Sequence, residues 1–500
     1  MKYIKTIIVL LLLASCNSKK AEEEVVKQDD TFKVLTNTVD EYVKNSLQRG
    51  NVNSFALAIY KDGKMYQNYY GELDKGAKNT PNENSLYEIA SITKTLTGSL
   101  VAKSVIDGKI NLDDDIRNYL DADYPNLEFE EQPITIRNLL THSLGFKEKT
   151  PKRLKAFNEK MNTTQDINNV EVYTIEDLLE ELKTAELDKA PGTVFVYNSV
   201  GPELLAYILE KVNKKPFKEQ LNEFLGELNM NNTFLNESEK HLKDLVRGYS
   251  GDTLVPIDYC PVYGAAGGAI STLPDLATYM KYLVDNKEEP WVKEASRILF
   301  TDKEDDENLG YLWQNIDEAD VEGYYYSKTG TSNGTQSGVL ICPDSNYAIA
   351  LIVNNTSEDA YNDWYTLFFR DIEPDVINYP KLNLFSKLKS GILNDSKEAI
   401  SEYNTLKVDT TNYFTTSAVV LNNFGYELLS ANKNAEAINL FEFATQQFPQ
   451  NSNLFDSLGE VYFINEDYDK ALENYKKALE LNPKSENAKN YIEKIEKLFD

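Results

Sequence analysis

Pro449 and Pro483 stand 34 residues apart, and the residues ahead of the two prolines match by chemical type. Leu421, Phe424, Gly425, Ala437, Phe441 and Ala444 fall over Phe455, Leu458, Gly459, Ala471, Tyr475 and Ala478. A fixed period of this kind restricts a chain more tightly than composition does. Its small residues let two antiparallel helices approach closely, and each helix pair buries its apolar face only by stacking on the next. Residues 386–500 are therefore expected to be all-α, with residues 386–417 as a degenerate earlier repeat and Ser485 to Phe499 as a polar capping helix.

The period and the small/large pattern resemble the tetratricopeptide repeat, which implies a surface for a protein partner. The rest of the chain reads differently. Five hundred residues exceed what one hydrophobic core usually serves, and residues 31–375 form the second unit expected. Phe55 to Tyr60 and Lys64 to Tyr69 are β-branched and aromatic runs on either side of Asp62-Gly63, a hairpin signal. A helix is expected from near Ser91 to near Gly108, another over Leu204 to Val212 with Pro202 in its first turn, and a third opened by Thr272-Leu273-Pro274-Asp275. Strands return at Tyr324 to Ser327, Gln336 to Cys342 and Tyr347 to Val353. Early hairpin, helical middle and late strands predict an α+β fold: an antiparallel sheet with packed helices and an inserted helical lobe.

The start of the chain reads as an export signal. Lys2 and Lys5 precede the short apolar run Ile7 to Leu13, which is too short to span a bilayer as a helix. Leu13-Ala14-Ser15 then precede Cys16. This resembles a bacterial lipobox, which implies that residues 1–15 are removed and that Cys16 is lipidated. Residues 16–30, rich in Lys, Glu and Asp, become a solvated tether. The expected location is the bacterial cell envelope, anchored outside the cytoplasmic membrane. A formal net charge of −28 argues against nucleic acid. Cys260 and Cys342 are too few for a disulfide scaffold or a Cys₄ zinc site, and the two histidines, His142 and His241, form no H-E-x-x-H motif. No metal and no cofactor are expected.

Ser91 stands three residues before Lys94 at the start of the first helix, a spacing that puts both on one face. The same Ser-x-x-Lys occurs at Ser386/Lys389 and Ser430/Lys433, but within the helical repeats, where a surface serine and lysine need no chemical explanation. Only Ser91 has company: Tyr197-Asn198-Ser199 lies before a helix and Lys328-Thr329-Gly330 at the end of a strand. This ordered set resembles the penicillin-recognising serine hydrolases, and among them class C β-lactamases with their D-peptidase and esterase relatives. The resemblance extends through Leu139 to Gly145, Pro191-Gly192-Thr193 and Gly264 to Gly268.

It implies that Ser91 attacks an amide or ester carbonyl, that Lys94 orients and helps deprotonate it, and that Tyr197 shuttles the proton to the leaving group. Lys328, Thr329, Gly330, Thr331 and Ser199 would meet the substrate, with backbone N–H groups of Ser91 and Thr331 as the oxyanion hole. A tyrosine needs nearby positive charge to serve as a base near neutrality, and Lys94 and Lys328 would supply it. His142 would be a structural turn residue. The family carries asparagine two positions after the tyrosine, where this chain has Ser199. A shorter hydroxyl weakens the grip on an acylamido side chain. The substrate is left open among a D-amino peptide, an ester and a β-lactam. The alternative from another class is a non-catalytic penicillin-binding-like sensor that docks a partner through its repeats.

Overall fold

Asp62 and Gly63 turn the chain with φ of 50° and 82°, the left-handed pair that a two-residue hairpin turn demands, and Lys61 faces Lys64 across it. The computed structural model describes residues 31–499 apart from 162–172, 236–244, 258–261, 304–306, 320–321, 385–395 and 415–417. The export segment, Cys16, the tether, His241, Cys260, Ser386 and Lys389 lie outside the described residues.

Strands β1 (Ser54–Lys61), β2 (Lys64–Gly71), β3 (Gln314–Ala319), β4 (Gly323–Thr331), β5 (Gln336–Cys342) and β6 (Tyr347–Val353) form one antiparallel sheet in the order β3-β4-β5-β6-β1-β2. The inner strands β1, β5 and β6 are buried along their whole length. Their near-continuous apolar runs follow from having both faces covered. Helices α1 (Thr93–Ile106), α2 (Val200–Asn213) and α3 (Leu273–Asp285) share one core with the sheet, in which Leu96, Leu204, Leu276 and Ile352 are all buried. Thr272 caps α3 through the N–H of Asp275, and Pro274 occupies its first turn. On the sheet's other face, the buried Trp364 of α4 (Glu358–Tyr365) fits over Gly338, where a Cβ would stand 2.5 Å from the indole. Its ring N–H donates to the Leu351 carbonyl at 3.1 Å.

The helical lobe is inserted between β2 and β3, as expected. Two strand features differ from the sequence reading. β4 runs on to Thr331, so Lys328-Thr329-Gly330 lies inside the strand and not at its end. The polar edge strand β3 has no apolar alternation to announce it, and its register shifts between Gln314 and Asp317, with Asn315 at a φ of 47°.

The chain divides into two compact units, Val43–Phe368 and a second that joins the residues through Tyr42 to Phe369–Asp500. The division falls earlier than the end at residue 375 drawn from sequence. Within the second unit, the Tyr42 hydroxyl donates to the buried Asp375 carboxylate at 3.0 Å, and the Phe32 ring edge meets Tyr379. Its helices are α5 (Ser396–Leu406), α6 (Ala418–Ser430), α7 (Asn434–Gln447), α8 (Ser452–Ile464), α9 (Tyr468–Leu481) and α10 (Glu486–Phe499). The pairs α6/α7 and α8/α9 are the two repeats, and Leu421, Ala437, Phe441, Ala471, Tyr475 and Ala478 lie in their common core. A Cβ at Gly425 would sit 2.1 Å from the Phe441 ring, so the close crossing of α6 and α7 requires glycine there.

Candidate active site

The chain enters the site through Ala90, a non-glycine residue held at a φ of 44°. That is sparsely populated ground for an L-residue and marks local strain. Ser91 follows in a 3₁₀ turn, Ala90–Ile92, and Lys94 lies in the first turn of α1. The Lys94 ammonium is buried, and it donates to Ser91 Oγ at 3.2 Å and to the carbonyl of Ala266. From the segment leading into α2, the Tyr197 hydroxyl donates to the same Ser91 Oγ at 2.8 Å. From β4, the fully buried Lys328 places its ammonium 4.6 Å from the Tyr197 ring centroid, while that of Lys94 is at 4.9 Å. Lys328 also donates to Gln314 Oε1 on β3 at 2.7 Å.

Two lysines around one phenol decide its charge. Burial pushes the Tyr197 hydroxyl up, but the Lys328 and Lys94 charges and the hydrogen bonds to Ser91 and Lys94 outweigh it and bring it down to about 7. Burial pulls Lys328 down to about 8, against the attraction of Tyr197 and with the repulsion of Lys94. The two groups therefore share the titration near neutrality. A hydroxyl held between an ammonium and a phenol of this acidity is chemically equipped to become a nucleophile.

His142 lies beside this cluster without joining its hydrogen bonds. It is buried with a φ of 53°, its ring centroid is 4.6 Å from that of Tyr197, and its Nδ1 accepts the Asn198 N–H at 3.4 Å. Burial, then the Lys328 and Lys94 charges, hold its pKa well below the ordinary value. A neutral ring packed against Tyr197 is a turn and packing residue.

Gly330 has a packing role that the sequence did not announce. A Cβ there would stand 2.3 Å from the Ile89 carbonyl and 3.1 Å from Ser91 N. The glycine thus lets β4 close on the turn that carries Ser91. Strand alternation puts Lys328 and Gly330 on one face and Thr329, opposite Gly338, on the other. Thr331 is exposed and its hydroxyl donates to Gln336 Oε1. Asn198 is buried and spends its amide on the Val196 carbonyl and the Gly201 N–H, both at 2.9 Å, while the next residue, Ser199, is exposed. Among the described residues no hydrogen bond links Ser199, Thr329 or Thr331 to the Ser91 cluster. On the open side of β4 the pairing with β3 begins only at Ser327, so that edge of Lys328 to Thr331 carries no strand partner among the described residues.

Sequence reasoning missed Glu203. It reads as an ordinary acidic residue in the first turn of α2, yet its carboxylate is buried and accepts the N–H groups of Tyr263 and Ala266 at 2.9 Å each. Burial raises its pKa to about 7 against those bonds and the Lys94 charge. Since Ala266 also offers its carbonyl to Lys94, Glu203 fixes the loop that fixes the lysine. Glu203→Gln would turn an NH₂ toward one of the two N–H donors. At the scale of one or two lost charge-assisted bonds, Ser91 acylation is expected to slow about 10- to 100-fold. Single-turnover labelling measures it, with a thermal melt confirming that the variant is folded.

An antiparallel sheet flanked by helices, with Ser, Lys, Tyr and Lys converging at the end of a buried helix, defines the penicillin-recognising class of serine acyl-transfer folds. The family profile described as Beta-lactamase matches residues 39–369, and the chain belongs to that family. A Tetratricopeptide repeat profile matches residues 457–485. Protein flp of Staphylococcus aureus (strain N315) is 25% identical over 330 residues, which cover 64% of this chain and 63% of flp. A Beta-lactamase of Providencia stuartii is 22% identical over 360 residues, 65% of this chain and 88% of that protein. Among solved structures, the Beta-lactamase/D-alanine carboxypeptidase from Yersinia pestis has a TM-score of 0.55 at 22% identity, covering 69% of this chain and 96% of that one. The octameric penicillin-binding protein homologue from Pyrococcus abyssi has a TM-score of 0.56 at 23% identity, covering 66% and 76%.

Proposed function

We propose that this protein is a serine hydrolase that opens an amide or ester through an acyl-enzyme on Ser91. The observation that carries this reading is the pair of hydrogen bonds converging on Ser91 Oγ, from Lys94 at 3.2 Å and Tyr197 at 2.8 Å. In the ionised form favoured above a pH of about 7, Tyr197 takes the serine proton as Oγ bonds to the carbonyl carbon. It then gives that proton to the departing amine or alcohol, and a water molecule, deprotonated by the same phenolate, releases the acid. The N–H of Ser91, which lies where Gly330 meets the Ser91 turn, and that of Thr331 hold the oxyanion. Retention of all four of Ser91, Lys94, Tyr197 and Lys328 in contact argues for turnover over a sensor that has lost it.

The side chains of Asn198 and Ser199 narrow the substrate. Asn198 is consumed in the protein's own hydrogen bonds and Ser199 is short, which favours a small ester or a D-amino peptide over an acylamido β-lactam. A panel of nitrophenyl esters, D-alanyl dipeptides and a penicillin separates these. Ester or D-peptide turnover at least about tenfold above penicillin turnover in kcat/KM is the expected result, and penicillin as the best substrate would reverse the ranking. The repeats, in the same proposal, hold the enzyme to a protein partner, and Cys16 anchors it at the cell envelope.

A further inference from the structure

A second cavity, of about 770 Å³, is lined by none of the residues around Ser91. Its walls come from Asn82, Asn84, Ser85 and Leu86, the end of the helix Phe217–Glu227, the turn Met230 to Phe234 and Thr272 at the start of α3. Five of its lining residues are asparagines: Asn82, Asn84, Asn222, Asn231 and Asn232. None of the described lining residues is charged, in a chain where 26% of residues are. Uncharged polar side chains on the described lining favour a neutral ligand over a carboxylate, phosphate or ammonium group, whose desolvation they compensate less well.

Three of these five amides are available, those of Asn82 and Asn231 being engaged in part with the Asn84 N–H and the Asn229 carbonyl. Asn84 and Asn232 engage their backbone N–H groups, with Asn82 Oδ1 and the Asp275 carboxylate, and among the described residues no hydrogen bond takes up their side chains or that of Asn222. Each free amide offers a donor and an acceptor side by side, which matches two neighbouring hydroxyls on a ring. Leu86, Leu225 and Met230, themselves buried, back the cavity, and Phe234 lines it with a half-buried ring suited to the C–H face of such a molecule. The frame is rigid. The Thr233 hydroxyl is bonded to Asp275 at 2.8 Å and to Ser271 at 2.7 Å, Met230 N–H to the Leu225 carbonyl at 2.9 Å, and Leu86 packs with Ile270 and Phe234. The volume lies in the range of small-molecule sites.

We propose that this cavity binds a neutral saccharide. Exposed amides, apolar residues behind them and one aromatic ring form the set of contacts that an uncharged, polyhydroxylated ring requires. The proposal is independent of the acyl-transfer reading.

Isothermal titration of the full-length protein with maltotriose, cellotriose and tri-N-acetylchitotriose tests it, with tri-asparagine as the peptide control. At least one of the three sugars is expected to bind at a single site with a millimolar or lower Kd. Asn84→Ala and Asn222→Ala, both exposed and outside the catalytic set, are expected to weaken it about three- to tenfold each. Ser91→Ala is expected to leave binding unchanged, and the saturating sugar to leave ester labelling of Ser91 unchanged. Three results would each overturn the proposal: no heat from any of the sugars up to about 10 mM; binding that ignores Asn84→Ala and Asn222→Ala but vanishes in Ser91→Ala; or tri-asparagine binding as tightly as the best sugar.

Discussion

Ser91→Ala is expected to remove covalent labelling by an activated ester or phosphonate altogether, and to lower kcat/KM by on the order of 10⁴-fold or more. The wild-type chain should gain the mass of a single adduct in intact-mass spectrometry. The size of the effect follows from the geometry, since Lys94 and Tyr197 both spend hydrogen bonds on the one oxygen that the substitution deletes. Among the described residues the other Ser-x-x-Lys, Ser430/Lys433, offers no such arrangement. Ser430 bonds its own helix through the Tyr426 carbonyl, in the repeats. An adduct that survives in Ser91→Ala would place the nucleophile elsewhere.

The second large effect is expected at Tyr197. Tyr197→Phe keeps the ring between the lysines but removes the proton carrier, and kcat/KM should fall about 10²- to 10⁴-fold. The pH profile carries the sign of the same chemistry. Tyr197 works ionised, so activity is lost as pH falls through about 7. Lys328 works protonated, so activity is lost as pH rises through about 8. A narrow bell between those limbs is the expected shape, and the limbs belong to the coupled pair. Full activity in Tyr197→Phe, with loss in a folded His142→Gln, would transfer the base role to the histidine.

The part of the site that spacing encodes was legible in the sequence. Ser91 and Lys94 are joined by helical spacing, while Tyr197 and Lys328 were reached through the resemblance of the ordered set to a known family. The hairpin at Asp62-Gly63 and the cap at Thr272 were legible for the same reason: local chemistry dictates them. What was not legible depends on partners distant in sequence. Gln314 holds Lys328 from a polar edge strand with no alternation to reveal it. Glu203 meets a loop some sixty residues onward, and nothing in its neighbours distinguishes it from a residue that complements a helix dipole. The strained φ of Ala90 has no residue type to signal it, since alanine ordinarily avoids that conformation. The approach of Gly330 to the Ser91 turn was not legible, because a glycine announces a close approach without naming what approaches.

The register of the central sheet has a consequence for how the chain is made. Phe55 faces Val353, and every rung of β1 against β6 joins the two ends of the β-lactamase-family unit. During vectorial synthesis β1 emerges early and can pair at once only with β2. Its other edge, fully buried in the finished protein, must wait for β6 and for the whole intervening lobe. A domain closed by its last strand folds late and by non-local contacts, and until then that edge is open to pairing with other chains. Ribosome-bound chains ending before Tyr347 should therefore remain protease-sensitive, and it is release of the strand Tyr347–Val353 that lets the sheet close.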